Sequence, residues 1–354
     1  MQADVQVGGV EPFLAEWEAL YAADPAATPF TSPWWARAWC RHWADGQDSW
    51  LVTVRDRGRL VGLAPLALRR RGPARVLFGL GTVVGNYWDV LAAPDSRNEV
   101  LGVVARALDD RSADWDVVVL DRLPQGSRTP STLGHASLAL RTRQPTPYLG
   151  MALPASLDAY LATVSAKARS AIRKRLRSVD NGEIALRQID DPGELPTAVD
   201  TWQAMRSQWW SERGRSMNPE HASPRFRDFT IDAFQALVPA GRALVWEFTH
   251  EGEVVGIAFN FVDPRCFYHW LGAFDPGHQR LRLGQLVIAL GIRSSIDAGR
   301  TYYDFMLGDE SYKHAYGPVM RQAPSFVIGN RRLRSRTALE ASGLGAGGAA
   351  AVAS

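Results

Sequence analysis

Apolar positions along the chain recur with two periods, and each predicts a different element. Trp34, Trp35, Trp39 and Trp43 fall on one stripe at helical spacing. Ser32 as N-cap and Pro33 at the first position predict a helix over 33–44. Large aromatics bury the most area per residue, so the stripe reads as core packing rather than as a ligand box. From Leu51 to Leu68 the period shortens, and two β-rich runs flank Asp56-Arg57-Gly58. That pattern predicts a hairpin whose glycine takes positive φ.

The same pattern returns at Val245 to Ala258, where Gly252 and Gly256 correspond to Gly58 and Gly62, and Val255 and Ala258 to Val61 and Ala64. After each hairpin the sequence predicts an extended run, a helix and a further strand. These fall at 86–91, 96–108 and 115–121 in the first half, and at 266–274, 283–297 and 301–307 in the second. Trp115-Asp116-Val117 matches Tyr303-Asp304-Phe305, and Asp121 matches Asp309. A repeat of this length implies two copies of one α/β domain. The expected domains are 1–150 and 151–335, with a boundary around 146–165 where Pro145, Pro147 and Pro154 interrupt periodic structure. Residues 336–354, mostly Ala, Gly and Ser, are expected to form a disordered tail.

Composition narrows the classes. Among 354 residues, 46% are hydrophobic and 22% charged, a globular balance. Forty Lys and Arg stand against 37 Asp and Glu, too thin a margin for nucleic-acid binding by bulk charge, so any basic surface must be local. One such surface is 164–179, a leading helix of the second domain with Val164, Ala168, Ile172, Leu176 and Val179 on one face. Lys167, Arg169, Arg173, Lys174, Arg175 and Arg177 occupy the rest. It reads as a contact for CoA phosphates, tRNA or an anionic membrane surface, or else as a solvated inter-domain helix. Two cysteines, Cys40 and Cys266, provide neither a disulfide framework nor a thiolate zinc cluster, so no metal is expected and a reducing cytoplasm is the natural compartment. The acidic start, Met1 to Glu18, lacks a basic region followed by an apolar run, and no stretch reaches the length of a membrane span. Neither a secretory signal nor a transmembrane segment is expected.

Two segments carry candidate chemistry. Phe274 to Gln285 joins a predicted strand to a helix in which Leu283, Leu286, Val287 and Leu290 share a face. Free backbone N–H groups and the helix dipole converge there, with Arg280 and Arg282 available for charge-assisted contacts to a polyanion. The bland alternative is an ordinary connection with solvated arginines. In the second segment, 301–314, Tyr302, Asp304 and Met306 share one strand face, which sets an acid within an apolar strand. Such an Asp is paired or functional, with His269 or Tyr268 as candidate partners across the sheet. Tyr312 and Lys313 come next as a general acid and an electrostatic anchor, or as an exposed loop pair. The glycine-rich run 78–85 has the wrong spacing for a dinucleotide fingerprint and reads as a turn between strands.

The hairpin 245–261, the run Tyr268-His269-Trp270-Leu271-Gly272-Ala273-Phe274-Asp275-Pro276, the entry Arg282-Leu283-Gly284-Gln285-Leu286 and the segment 303–313 together resemble the GNAT acyltransferase superfamily. The resemblance is to its CelD/BcsL-type branch, which is similar to the tandem-domain FemABX peptidyltransferases. The first half resembles that branch's degenerate partner domain, so the likeness spans about 13–332. It implies two tandem GNAT-like α/β (α+β) domains, each a mixed, mostly antiparallel sheet flanked by helices. It also implies direct transfer of an acyl group from acetyl-CoA or another acyl-CoA to an amine of a small-molecule, saccharide or peptide acceptor held between the domains. The family's pyrophosphate motif, Gln/Arg-x-x-Gly-x-Gly/Ala, falls on 279–284 with Arg282 in place of its middle glycine. Gln279, Arg280, Arg282, Leu283, Gly284 and Gln285 are then the donor-binding set. Asp304, or His269 through water, deprotonates the amine, Tyr312 protonates the departing thiolate, and Lys313 orients an acidic group. Neither cysteine sits in an activated setting, in keeping with direct attack. The FemABX likeness allows an aminoacyl-tRNA donor instead, and a non-catalytic scaffold for anionic ligands is the alternative from another class.

Overall fold

The predicted hairpins form in a computed structural model that describes residues 1–44, 47–135 and 139–330. The expected tail, 336–354, lies outside the described residues. In chain order the first elements are β1 (Gln2–Val7), α1 (Leu14–Ala23), α2 (Pro33–Trp43), β2 (Gln47–Asp56), β3 (Arg59–Arg71) and β4 (Ala74–Gly79). β5 (Leu91–Ala92), α3 (Arg97–Asp110), β6 (Val117–Leu120), α4 (Thr129–His135) and β7 (Ala139–Ala152) come after them. Then come α5 (Leu157–Thr163), α6 (Ala166–Asp180), β8 (Ala185–Gln188), α7 (Leu195–Ser211) and α8 (Pro224–Leu237). The last are β9 (Ala243–His250), β10 (Glu253–Val262), β11 (Cys266–Phe274), α9 (Leu283–Asp297), β12 (Tyr302–Leu307) and β13 (Val319–Gly329).

The chain divides into two units, Met1–Thr146 with the segment returning from Gln322, and Pro147–Arg321. In the first unit the strand order is β1-β2-β3-β4-β6-β13, antiparallel except for the β4–β6 pair. In the second it is β7-β12-β11-β10-β9-β8, antiparallel except for β11–β12. Both hairpin turns have positive φ at each central residue, 48° and 83° at Arg57-Gly58 and 50° and 85° at Glu251-Gly252. That is the turn whose twist matches its flanking strands.

The first half departs from expectation at 86–91. Tyr87 has φ 50°, which breaks an extended run, and only Leu91 and Ala92 pair, with Leu63 and Gly62. The counterpart of β11 is therefore β4, which leads into the glycine-rich turn. Pro145 and Pro147 do not end the periodic structure but lie inside β7. Proline is tolerated in a strand where no donor is required of it, and Pro147 contributes its carbonyl to Gly308 N at 3.0 Å.

Each unit packs a helix on its sheet. Val100, Leu101 and Val104 of α3 are buried against Trp50, Val52 and Leu77 in the first unit. Leu286, Val287 and Leu290 of α9 are buried with Phe267 and Tyr303 in the second, where those two rings stack at 5.3 Å. In α2, Ser32 Oγ accepts from Trp35 N at 3.3 Å, and Trp35, Trp39 and Trp43 are buried while Trp34 is half-buried. Helix α6 buries Ala168, Ile172 and Leu176 against α9's core and leaves Lys167, Arg173, Lys174 and Arg177 exposed. No helix among the described residues is long and apolar enough to cross a membrane.

Candidate active site

β11 and β12 pair in parallel only over Cys266–Tyr268 and Tyr302–Asp304. Two irregularities accompany their parting. On the β10 side the register steps from Phe259–Leu271 to Asn260–His269, leaving Trp270 as the extra residue of a bulge. On the β7 side it steps from Asp304–Gly150 to Leu307–Tyr148. At that second step Asp304 Oδ1 accepts from Met306 N at 2.6 Å, and Met306 takes φ 62°.

Both strands, past their last pair, line a cavity of about 640 Å³. β11 supplies His269, Trp270 and Gly272 to Phe274, with Asp275 just after it, and β12 supplies Phe305 to Leu307. Gln279 and Arg282 to Gln285 line it from the entry of α9, Tyr312 and Lys313 from the 3-10 turn after β12, and Arg206, Trp209, Trp210 and Arg213 from the end of α7.

The α9 entry is built by local hydrogen bonds. Asp275 caps the 3-10 turn Pro276–Leu281, accepting from Gly277 N at 2.8 Å and meeting His278 Nδ1 at 2.6 Å. Arg282 comes next with φ 54° and ψ 44°, the left-handed conformation that glycine adopts most easily. The backbone thus has the shape that the motif's missing glycine would give, held by an arginine at a cost of roughly 1 kcal/mol. Arg282 O accepts from the amides of Gln285 and Leu286, at 2.9 and 3.1 Å. The amides of Leu283 and Gly284 have no hydrogen-bond partner among the described residues. Two unpartnered donors at the positive end of a 15-residue helix, bordering a cavity, suit an anionic ligand. Arg282 and Gln279 line that cavity, whereas Arg280 lies outside its lining.

His269 is fixed through Nδ1, 2.9 Å from Asn260 Oδ1. Asn260 is wholly buried and its Nδ2 donates to Leu244 O at 3.3 Å, so its Oδ1 is the acceptor. That network assigns the imidazole proton to Nδ1 and leaves the Nε2 lone pair available. Burial, then the nearby Lys313 charge, push His269 down to about 4, so it is neutral at pH 7. Tyr312 is 43% exposed, and desolvation of the part turned to the protein, with the Glu310 carboxylate, pushes it up to about 12 against the pull of Arg206. It keeps its proton across the physiological range.

Two of the expected site residues are held by the protein itself. Asp304 is only 4% exposed and is not part of the cavity lining. Its carboxylate holds the Met306 amide and Tyr268 is its register partner, so the acid in the apolar strand is engaged at the bulge and is not brought to the cavity. Lys313 borders the cavity, but Nζ donates to Phe305 O at 3.1 Å and Leu307 O at 3.3 Å and pairs with Glu310 at 2.7 Å. All three of its donors are engaged, so it ties down the exit of β12 instead of orienting a ligand acid.

Sequence reasoning missed the α7 wall. Its signal was present as two adjacent tryptophans with Arg206 three or four residues before them on the helix and Arg213 in the turn just after it. Trp209 and Trp210 meet edge to face at 4.9 Å, and the Arg213 guanidinium lies 3.8 Å from the Trp209 ring centroid.

Residues 166–314 match the family model for the acetyltransferase (GNAT) domain. The crystal structure of FemX superposes with a TM-score of 0.69 at 11% identity, covering 95% of this chain and 99% of that one. L-PGS from Bacillus licheniformis gives 0.54 at 14% identity, covering 93% and 96%. The C-terminal domain of a putative lysylphosphatidylglycerol synthetase from Agrobacterium fabrum gives 0.54 at 11%, covering 96% and 98%. At these identities the likeness is one of fold. No curated protein matches the sequence.

Proposed function

We propose, on the premise that residues 166–314 form a GNAT acetyltransferase domain, that this chain is an acyl-CoA-dependent N-acyltransferase acting on an amine by direct attack. The observation that carries the reading is the pair of unpartnered amides at Leu283 and Gly284, at a helix entry that opens on the cavity. Those amides, with Arg282 and Gln279, hold the donor phosphates. A bound acyl-CoA supplies the acyl group as a thioester, reactive enough for an amine to attack without a covalent enzyme intermediate. His269 Nε2, directly or through water, takes the proton that the amine loses as its nitrogen bonds to the carbonyl carbon. Tyr312 gives its proton to sulfur as the carbon–sulfur bond breaks. Lys313 keeps the Phe305 and Leu307 carbonyls in place, so that β12 stays parted from β11.

One observation favours a second donor. The exposed Lys167, Arg173, Lys174 and Arg177 of α6 form a basic face of the kind that tracks a nucleic-acid backbone. Together with the FemX-like fold, it supports an aminoacyl-tRNA donor on the same site. Thermal melting separates the two readings. A Tm raised by acetyl-CoA and unmoved by charged tRNA supports the first, and the reverse outcome supports the second. If neither raises Tm and no amine panel is turned over, the non-catalytic anion-binding scaffold is the better account.

A further inference from the structure

The donor site and the proton transfers leave the α7 wall unused. Arg206 is its most unusual member: half-buried, lining the cavity, and without a hydrogen bond or ion pair among the described residues. Its guanidinium lies 5.4 and 5.6 Å from the ring centroids of Trp209 and Trp210. The indoles fix the position of the charge but do not neutralise it. Glu310 is near enough to act on Arg206, yet its carboxylate is held by Lys313 at 2.7 Å. Arg206 and Tyr312 line the same cavity, and their charges act on one another. A guanidinium is a planar fork matched to the two oxygens of a carboxylate or phosphate, and a half-buried one is costly to keep unless something completes it.

We propose that the acceptor is an amine bearing an oxyanion, a carboxylate or a phosphate, held by the Arg206 fork while its carbon skeleton lies on the Trp209 and Trp210 indoles and its amine faces His269. The proposal rests on the acyl-transfer reading of the cavity and names the class of acceptor for it.

Calorimetric titration of the full chain, with and without saturating CoA, tests it with matched probes: phenylalanine against phenylalaninamide, and glucosamine 6-phosphate against glucosamine. The anionic member of one pair should bind about tenfold tighter or more, and the responding pair distinguishes carboxylate from phosphate. Arg206→Met should erase that difference while leaving acetyl-CoA affinity unchanged. Arg206→Lys, which keeps the charge and loses the fork, should retain part of it. Melting curves for both variants confirm that the fold is intact. Equal binding of charged and neutral members, or binding of neither member of any pair, overturns the proposal. So does a loss of acetyl-CoA affinity in Arg206→Met, which would give the guanidinium to the donor. Anion discrimination that depends on Arg206 in a protein that fails to bind acetyl-CoA would keep this site and remove the CoA-donor reading.

Discussion

The two units share a strand plan, and the residues just beyond the parallel pair decide what each unit can do. In the first unit Val76–Phe78 pair with Val117–Val119, and the next residue along is Gly79. In the second the pairing stops at Tyr268, and the next residue is His269. A Cβ on Gly79 would come within 2.6 Å of Trp88, and one on Gly81 within 2.6 Å of Trp35. Indoles therefore fill the space beyond β4, with Trp88 Nε1 donating to Pro65 O at 2.7 Å. Helix entries differ as sharply. Arg97, which opens α3, is bonded to Asp24 at 2.8 Å and lies 3.8 Å from Asp89, so two buried carboxylates face that helix start. The start of α9 instead presents unpartnered amides and Arg282. One backbone plan thus gives a packed core in one unit and a cavity suited to anions in the other, through side chains at a handful of positions.

The largest effect expected from this contrast concerns His269, which has no counterpart beyond β4. His269→Gln should lower kcat by about 100-fold or more, as loss of a general base does, with little change in Tm. Asp304→Asn, which keeps an acceptor oxygen for Met306 N, should stay within a few-fold of wild type. Steady-state assays of both variants check the assignment, and the opposite ranking would restore Asp304 as the base.

Next in size is the glycine shared by the two hairpins. A Cβ on Gly62 would lie 2.3 Å from Val100 Cγ1, inside the packed core, whereas on Gly256 it would meet Phe274 Cδ1 at 2.8 Å, beside the cavity. Gly62→Ala should therefore destabilise by roughly 2–3 kcal/mol and Gly256→Ala by about 1 kcal/mol, because Phe274 has room to move. Denaturant midpoints would show equal losses if both sites were equally packed.

Gly284→Asp places an acid where the first unit already has two. Its Cβ would stand 3.4 Å from Phe274 Cε2, an ordinary contact, so Tm should hold while acetyl-CoA affinity falls about tenfold. Undiminished affinity by calorimetry would detach the α9 entry from the donor.

The smallest effect is on pH-dependent stability. His269 and His221 are both held down to about 4 by burial, with Lys313 and Arg206 respectively adding to it, while the unfolded chain titrates near 6.5. Between those values the unfolded state binds more protons, so stability is complete above about pH 6.5 and declines as pH falls toward 4. Melting scans over that window should show Tm dropping by several degrees, and less so in His269→Gln.

The hairpins, the turn glycines, α2 and the entry to α9 were legible because each rests on neighbours in sequence: a cap, a turn residue, a periodic apolar face. Asp304 was legible as an anomaly but not in its role. An acid within an apolar strand reads alike whether its carboxylate faces a ligand or the amide two residues on, and only the register with β7 separates the two. The α7 wall escaped because its place at the cavity depends on contacts with β11 and with the turn before α9, which no local pattern encodes.

The sequence by itself determined the doubled hairpin plan, the positive-φ turns, the basic stripe of α6 and the helix that opens at Leu283, since these depend on spacing and backbone stereochemistry within a few residues. Tertiary structure alone decided that β4 rather than 86–91 is the counterpart of β11, that Asp304 and Lys313 shape β12, and that Arg206 borders the cavity. Those outcomes are set by which distant segments share a volume, and a close-packed interior fixes that only when the whole chain is placed.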